Sequence, residues 1–148
     1  MNYRKADIND LDLICEIRKK QLIDEGLEPS VNIDNELHDY FRKQFEDDSI
    51  VEWFALEEGE VIATAALLFL PFPPSYTNRL GIRAYVTNMY TAKDYRRKGI
   101  AGELLNILFD EAKSRGVHKI FLSASKMGKS VYLKAGFTET GNWLEKDI

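Results

Sequence analysis

The hydrophobic positions of this chain follow two spacings, one typical of helices and the other typical of strands. Apolar residues recur every three or four positions in segments that predict amphipathic helices, and these segments are residues 11–23, 35–45, 100–116 and 126–134. Runs rich in β-branched and aromatic residues predict strands, and these runs are residues 2–6, 50–56, 61–70, 82–89, 119–123, 137–140 and 143–146. The predicted order is β-α-α-β-β-β-α-β-α-β, with the last two runs as edge strands joined near Gly141.

The segments between these elements predict how the strands are arranged. Residues 57–60 form a loop of the length that joins antiparallel neighbours. Residues 63–70 are almost wholly apolar, which indicates a central strand, and residues 26–35 and 71–81 are predicted loops. The pattern favours a single α/β (α+β) domain, residues 1–148, in which a mixed sheet has helices on both faces. Its N-terminal half is predicted to be antiparallel and to be followed by a βαβ crossover.

The stretch from Thr87 to Gly102 is predicted to bind an anion. A strand leads into a basic turn of Arg96, Arg97 and Lys98, which ends at Gly99, and a helix begins immediately afterwards. The first N–H groups of a helix have no intrahelical partners and its dipole adds partial positive charge, which together favour a phosphate. A solvated basic turn is the alternative interpretation. Neither the dinucleotide-binding glycine motif nor the P-loop motif is present.

Several motifs carry a resemblance to a known family. Arg96-x-x-Gly99-x-Ala101 is similar to the [Q/R]-x-x-G-x-[G/A] turn of the GNAT superfamily of N-acetyltransferases, and Gly99–Leu105 is similar to its helix start. Ser130–Phe137 resembles the family's A-x-x-L-Y-x-K-x-G-F signature. The resemblance implies the GNAT-like acyl-CoA N-acyltransferase fold. It further implies an enzyme without a metal that moves an acetyl group from acetyl-CoA to a primary amine of a small molecule or peptide.

The resemblance also implies roles for individual residues. The strand that carries Met89, Tyr90 and Thr91 would bind the pantetheine arm through main-chain groups, with Met89 or Tyr90 donating an N–H to the acyl oxygen. Ser125 stands where the family often has an asparagine that contacts pantetheine, and Tyr132 matches the tyrosine that serves as general acid. Ring packing without catalysis is the alternative for Tyr132. The pyrophosphate would be held by the turn and the helix start, which are Arg96, Arg97, Lys98, Gly99, Ile100, Ala101 and Gly102.

No general base is evident on the strand that enters the motif. Many family members have a glutamate there, whereas Thr87 and Asn88 occupy this region of the chain. Either the amine arrives deprotonated, or a side chain near the first two helices acts as base through water, and the candidates are Glu25, Asp34, Glu36 and His38. This departure leaves open a catalytically silent acyl-CoA-binding or sensor domain on the same fold.

The composition limits which classes of binding partner and which cellular compartment we expect. A net charge of −4 over 148 residues argues against binding nucleic acid by bulk electrostatics, and a single cysteine, Cys15, excludes an intramolecular disulfide. The absence of a long apolar run or a signal peptide predicts a soluble cytoplasmic protein, and edge strands would permit a homodimer. The resemblance implies that loops 24–35 and 71–81 build the acceptor site, and Phe72, Tyr76 and Trp53 are candidates for an apolar wall there. Scattered core aromatics are the alternative interpretation, which is favoured for Trp53. The identity of the amine stays open.

Overall fold

The computed structural model describes residues 1–148. The strands are β1 (Asn2–Lys5), β2 (Ile50–Glu57), β3 (Glu60–Pro71), β4 (Ile82–Thr91) and β5 (Ile120–Phe121). The α-helices are α1 (Leu11–Asp24), α2 (Asp34–Glu46), α3 (Ile100–Ser114) and α4 (Lys129–Lys134). Two short 3₁₀ helices, Ile8–Asp10 and Lys93–Tyr95, lie before α1 and before α3. None of the helices combines the length and the apolar character needed to cross a bilayer.

The strands form one mixed sheet in the order β1-β2-β3-β4-β5. The first four strands pair antiparallel with one another, and β5 pairs parallel to β4. A parallel pair needs a crossover connection, and α3 supplies it. The predicted mixed sheet, with its antiparallel first half and its βαβ crossover, is confirmed.

Helices cover both faces of this sheet, as predicted. On the α3 face, Leu105 of α3 and Leu67 of β3 belong to one buried apolar cluster. On the α1/α2 face, Ile14 of α1, Phe41 of α2 and Ala66 of β3 belong to a second cluster. Because β3 contributes side chains to both clusters, its sequence is apolar at successive positions instead of alternating.

The loop between β3 and β4 depends on a glycine. Phe72 donates its main-chain N–H to the carbonyl oxygen of Gly81 at 2.9 Å. Gly81 has a φ of +74°, and a Cβ built on it would lie 2.0 Å from the carbonyl oxygen of Phe72. Only glycine satisfies both the left-handed conformation and this close approach. The loop thereby returns Phe72 to the start of β4.

The C-terminal segment differs from the prediction. Residues 137–140 and 143–146 are not strands, and no main-chain hydrogen bond involves residues 138–148. The neighbouring strand β5 has only two residues and therefore offers too short an edge for a further strand. The indole of Trp143 instead stacks on the ring of Phe121, with centroids 5.9 Å apart and planes 9° apart. The predicted edge strands, on which the possible homodimer rested, are wrong.

Two predicted boundaries are also corrected. The last helix begins at Lys129 and not near residue 126, because residues 125–128 form a turn in which Gly128 donates its N–H to the carbonyl of Ser125 at 3.2 Å. Pro71 is the last residue of β3, paired with Ile82, and not the first residue of the loop. Proline is tolerated at this position because the end of a strand does not need its missing donor.

Candidate functional site

β4 and β5 separate early and leave an open edge. Their pairing ends at Tyr85 and Phe121, whereas β4 continues to Thr91. The outer edge of residues 86–91 therefore has no neighbouring strand. We call this free edge the slot. Met89, Tyr90 and Thr91, the residues expected to bind pantetheine, all lie along it.

Beyond the slot, a run of main-chain N–H groups has no partner in the protein. None of the six residues from Arg97 to Gly102 donates its N–H to another main-chain group, and the first helical bond at this end runs from Glu103 to the carbonyl of Gly99 at 3.1 Å. No side chain caps the N-terminus of α3. Unpaired donors at the positive end of a helix dipole form an anion-binding site.

The conformation of this turn leaves room for a diphosphate. Arg97 and Gly99 have φ values of 62° and 80°, and a Cβ placed on Gly99 would meet nothing within 4 Å. The side chains of Arg97 and Lys98 are exposed beside the turn, and Lys98 Nζ lies 5.3 Å from the ring centroid of Tyr95. Open space, main-chain donors and two cations fit the pyrophosphate of a coenzyme A ester.

Arg96 is engaged within the protein, unlike the two cations that follow it. Its Nε donates to the carbonyl oxygen of Thr91 at 2.9 Å, and its Nη2 pairs with Asp24 Oδ2 at 2.7 Å. Its Nη1 lies 3.9 Å from the sulfur of Met127. Arg96 therefore joins the end of α1 to the end of β4, and this geometry supports a bracing role for it more than a direct contact with phosphate.

Tyr132 lies on α4, the helix that follows β5 in the chain. Its ring meets Phe137 edge-on at 5.9 Å and packs against the core of the α3 face. Burial, together with the acidic groups of Glu25 and Tyr85, raises the pKa of its phenol to about 12. Tyr85 lies on the opposite, α1/α2 face, beside Leu68. The phenol therefore interacts with groups from both faces and keeps its proton at neutral pH.

The turn before α4 packs closely on this ring. A Cβ on Gly128 would lie 3.1 Å from Cε2 of Tyr132 and 3.4 Å from Oγ of Ser125. Glycine at position 128 thus leaves space for the ring of Tyr132. Ser125 Oγ accepts the N–H of Gly128 at 3.2 Å and is exposed, so its own proton is available to a ligand.

A buried polar network under β4 was not anticipated from the sequence. Glu52 of β2, 1% exposed, accepts hydrogen bonds from Asn88 Nδ2 at 3.3 and 3.2 Å. Thr64 Oγ1 of β3 donates to the main-chain carbonyl of Asn88 at 2.6 Å. Burial raises the pKa of Glu52 to about 8, although the hydrogen bond from Asn88 and the charge of Arg18 lower it. The carboxyl group is therefore protonated at neutral pH.

The sequence did contain a signal for Glu52. Ile50 and Phe54 lie in the cluster on the α1/α2 face, and strand periodicity puts position 52 on that same face. An acid at a core-facing position of an apolar strand is unusual and points to a function. Its contact with Asn88 was not readable, because it depends on the order of the strands in the sheet.

Aromatic side chains line the α1/α2 face next to the slot. The ring of Phe121 lies 5.1 Å from Tyr85, 6.3 Å from Phe72 and 5.9 Å from Trp143, measured between centroids. The guanidinium of Arg83 lies 4.6 Å from the centroid of Phe72. We call these four rings the aromatic patch. Of its members, only Phe72 was expected to border the acceptor.

The other sequence candidates fall in separate places. Trp53 donates its indole N–H to Glu111 of α3 at 2.9 Å, so it lies on the face away from the aromatic patch. Tyr76 is fully exposed. Asp34 pairs with Lys19 at 2.8 Å, and His38 lies 3.6 Å from Asp12. Glu36 is exposed on α2. Among the candidate bases, Glu25 is the one whose charge reaches Tyr132.

Comparison with known proteins gives matches over most of the chain. Residues 12–137 match the family model described as "Acetyltransferase (GNAT) family". A curated relative, GCN5-related N-acetyltransferase 6, chloroplastic, from Arabidopsis thaliana, is 32% identical over 85 residues. That match covers 54% of this chain and only 28% of the relative's length.

Solved structures match the fold over nearly the full length. A predicted acetyltransferase with acetyl-CoA from Clostridium acetobutylicum is 52% identical, with a TM-score of 0.96 over 99% of this chain and 95% of that chain. A GCN5-related N-acetyltransferase from Ralstonia eutropha JMP134 is 27% identical, with a TM-score of 0.91 over 99% of this chain and 97% of that chain.

Proposed function

The chain belongs to the acetyltransferase (GNAT) family, and we propose that it transfers the acetyl group of acetyl-CoA to a primary amine of a small molecule or peptide. The observation that carries this proposal is the run of unpaired N–H groups from Arg97 to Gly102, which follows the free edge of β4 along the chain. A diphosphate held on that run would lay the pantetheine arm along the slot. The bound acetyl-CoA of the Clostridium acetobutylicum protein supports this choice of donor.

Each part of the site would contribute a separate step. Main-chain N–H groups at Met89 or Tyr90 would bond the acyl oxygen and stabilise the charge that develops on it. Tyr132 would donate its proton to the departing thiolate, because a phenol with a pKa of about 12 is fully protonated at neutral pH. The amine, arriving deprotonated, would attack the carbonyl carbon from the α1/α2 face, where the aromatic patch borders the slot. Its nitrogen would then lose a proton to the Tyr132 phenolate, directly or through water, which restores the phenol and leaves the amide and free CoA.

The side chains around the slot suggest how the acceptor is held. The aromatic patch offers ring faces that attract a cationic or planar group. The carboxylate of Glu25, at the C-terminal end of α1, interacts with Tyr132 and would attract an ammonium ion. Arg83 stands on the far side of the patch, beside Phe72. This arrangement favours an amine that also bears an aromatic, planar or anionic group.

A thiol-release assay tests the proposal. Acetyl-CoA is incubated with the protein and a panel of polyamines, aminosugars, amino-acid derivatives and peptide N-termini, and mass spectrometry identifies the acetylated nitrogen. Lys98→Ala should raise the KM for acetyl-CoA about two- to five-fold, since an exposed ion pair contributes up to about 1 kcal/mol. Lys113→Ala, at the far end of α3, is the matched control and should leave that KM unchanged.

The same assay separates the enzyme from a sensor domain on this fold. Release of thiol that depends on one class of amine supports the enzyme. Tight binding of CoA by calorimetry, without turnover of any amine, would instead support the silent acyl-CoA-binding domain. Absence of both binding and turnover would contradict both functions.

A further inference from the structure

We propose that Glu52, Thr64 and Asn88 form a buried positioning set, which fixes a bulge of β4 so that the main-chain N–H group of Met89 is aimed at the acyl oxygen. This inference rests on the proposed function. The three side chains do not touch the substrate themselves. Their role is to orient the main-chain donor of β4 that does.

The bulge is visible in the pairing of β3 with β4. Thr64 is opposite Tyr90 and Ala66 is opposite Thr87, so one residue of β3 faces two residues of β4. The extra residue breaks the regular ladder and redirects the main chain. Asn88 lies within it and has a φ of 52°, a left-handed conformation that an asparagine adopts only at some cost.

Side chains from β2 and β3 hold this conformation through buried hydrogen bonds. Thr64 donates its hydroxyl to the main-chain carbonyl of Asn88, and Glu52 accepts both contacts from the amide nitrogen of Asn88. The three residues are between 0% and 3% exposed. Because water cannot compete for these hydrogen bonds, they restrict both the carbonyl and the side chain of the bulged residue.

Burying this polar network costs more free energy than an apolar core would, and this cost points to a role for the network in the site. A buried carboxyl group costs free energy even when it is paired. Oδ1 of Asn88 is buried and has no hydrogen-bond donor in the protein. Apolar residues would fill this space at lower cost. Unsatisfied polar atoms in a native interior are characteristic of functional positions.

The charged and titratable neighbours of Glu52 come from the N-terminal elements. Arg18 of α1 and Asp10 of the first 3₁₀ helix act on it through their charges. The thiol of Cys15 on α1 is close enough for the ionised form of Glu52 to raise its pKa. Thr64 and Asn88 face it from β3 and β4. No cation forms an ion pair with it, so it serves here as a neutral hydrogen-bonding group.

Amide NMR of the full chain tests the geometry without requiring an acceptor. Acetyl-CoA and CoA share every group except the acetyl, so the difference between their ¹H–¹⁵N shifts isolates the acyl contact. In the wild type we expect this difference at Met89. In Thr64→Val it should fall by half or more, while both ligands still shift the amides of residues 99–102. Val51→Ala, a core variant on the adjacent position of β2, should behave like the wild type.

Kinetics provides a second measure. Thr64→Val should lower kcat about ten-fold or more with little change in the KM for acetyl-CoA, because a displaced donor affects the transition state more than binding. Thr64→Ser, which keeps the hydroxyl, should restore kcat, and Glu52→Gln, which keeps an acceptor for Asn88, should retain most of it at pH 7. If Thr64→Val does not fold, the same comparison is made with Asn88→Ala.

The outcomes distinguish this inference from the proposed function. An acetyl-dependent shift that survives unchanged in Thr64→Val, or that is absent from the bulge of the wild type, overturns the inference even if amines are acetylated. A shift that depends on Thr64, in a protein that acetylates no amine, supports the inference and contradicts the enzyme.

Discussion

Replacing Glu52 with glutamine should change how the stability of the protein depends on pH. The side chain is fully enclosed between β2, β3, β4 and α1, and burial raises the pKa of its carboxyl group from 4.5 to about 8. In the unfolded chain the same group titrates near its ordinary pKa. Between these two values the folded protein holds a proton that the unfolded chain releases.

The direction in which stability changes with pH follows from this difference in bound protons. Stability falls with rising pH wherever the folded state binds more protons than the unfolded state. The effect of Glu52 is absent below about pH 4.5, grows as the pH rises, and is complete above about pH 8. Each unit of pKa difference is worth about 1.4 kcal/mol, so the difference between 4.5 and about 8 limits the total loss of unfolding free energy to about 5 kcal/mol. Glutamine cannot ionise and should remove this loss.

Urea unfolding at intervals from pH 5 to pH 9 measures the prediction. The difference in unfolding free energy between Glu52→Gln and the wild type should move in favour of the variant by several kcal/mol across this range. Glu60→Gln, an exposed glutamate at the start of β3, is the control for loss of one charge and should run parallel to the wild type. If the Glu52→Gln curve also runs parallel to the wild type, Glu52 is ionised in the folded protein and the burial argument fails.

Three further substitutions test the site and the fold. Tyr132→Phe should lower kcat about 100-fold with an unchanged KM for acetyl-CoA in steady-state assays, because general acids typically contribute that much; full retention of kcat would remove the phenol from the mechanism. Gly99→Ala should raise the Kd for CoA measured by calorimetry, since the left-handed conformation costs a non-glycine residue about 1–2 kcal/mol, and an unchanged Kd would show that the turn tolerates it. Gly81→Ala should lower Tm far more than Gly59→Ala. Both positions have positive φ, but only Gly81 is in close contact with a carbonyl oxygen, that of Phe72. Equal losses of Tm would contradict the steric argument.

Local patterns were sufficient to predict the central part of the fold. Residues 63–70 are apolar at successive positions because β3 is covered on both faces, and helical spacing from Ile100 marks the stripe of α3 that packs on the sheet. The basic turn before α3 was predicted from the order of strand, glycine and helix. Each of these features depends on residues that are close together in the sequence, so a local pattern is enough to predict it.

Features that depend on distant contacts were missed or misplaced. Glu52 and Asn88 meet across β3, although 36 residues separate them in the chain. The C-terminal segment has residues that favour strands, yet it lacks a long enough partner, since β5 contains only Ile120 and Phe121. Strand formation needs a neighbouring edge as well as suitable residues, and the second condition is not local.

Tyr132 and the buried network under β4 imply how binding and chemistry are divided along the slot. The pKa of Tyr132 is raised to about 12 and that of Glu52 to about 8, in both cases chiefly by burial, so both groups are neutral at pH 7. At the other end of the slot, Arg97 and Lys98 are exposed cations beside unpaired N–H groups. These two cations lie at the solvent-exposed end of the slot, where they would attract a diphosphate. At the buried end the available groups are main-chain dipoles and neutral hydroxyl donors, which can stabilise a developing oxyanion or thiolate without binding the ground state tightly.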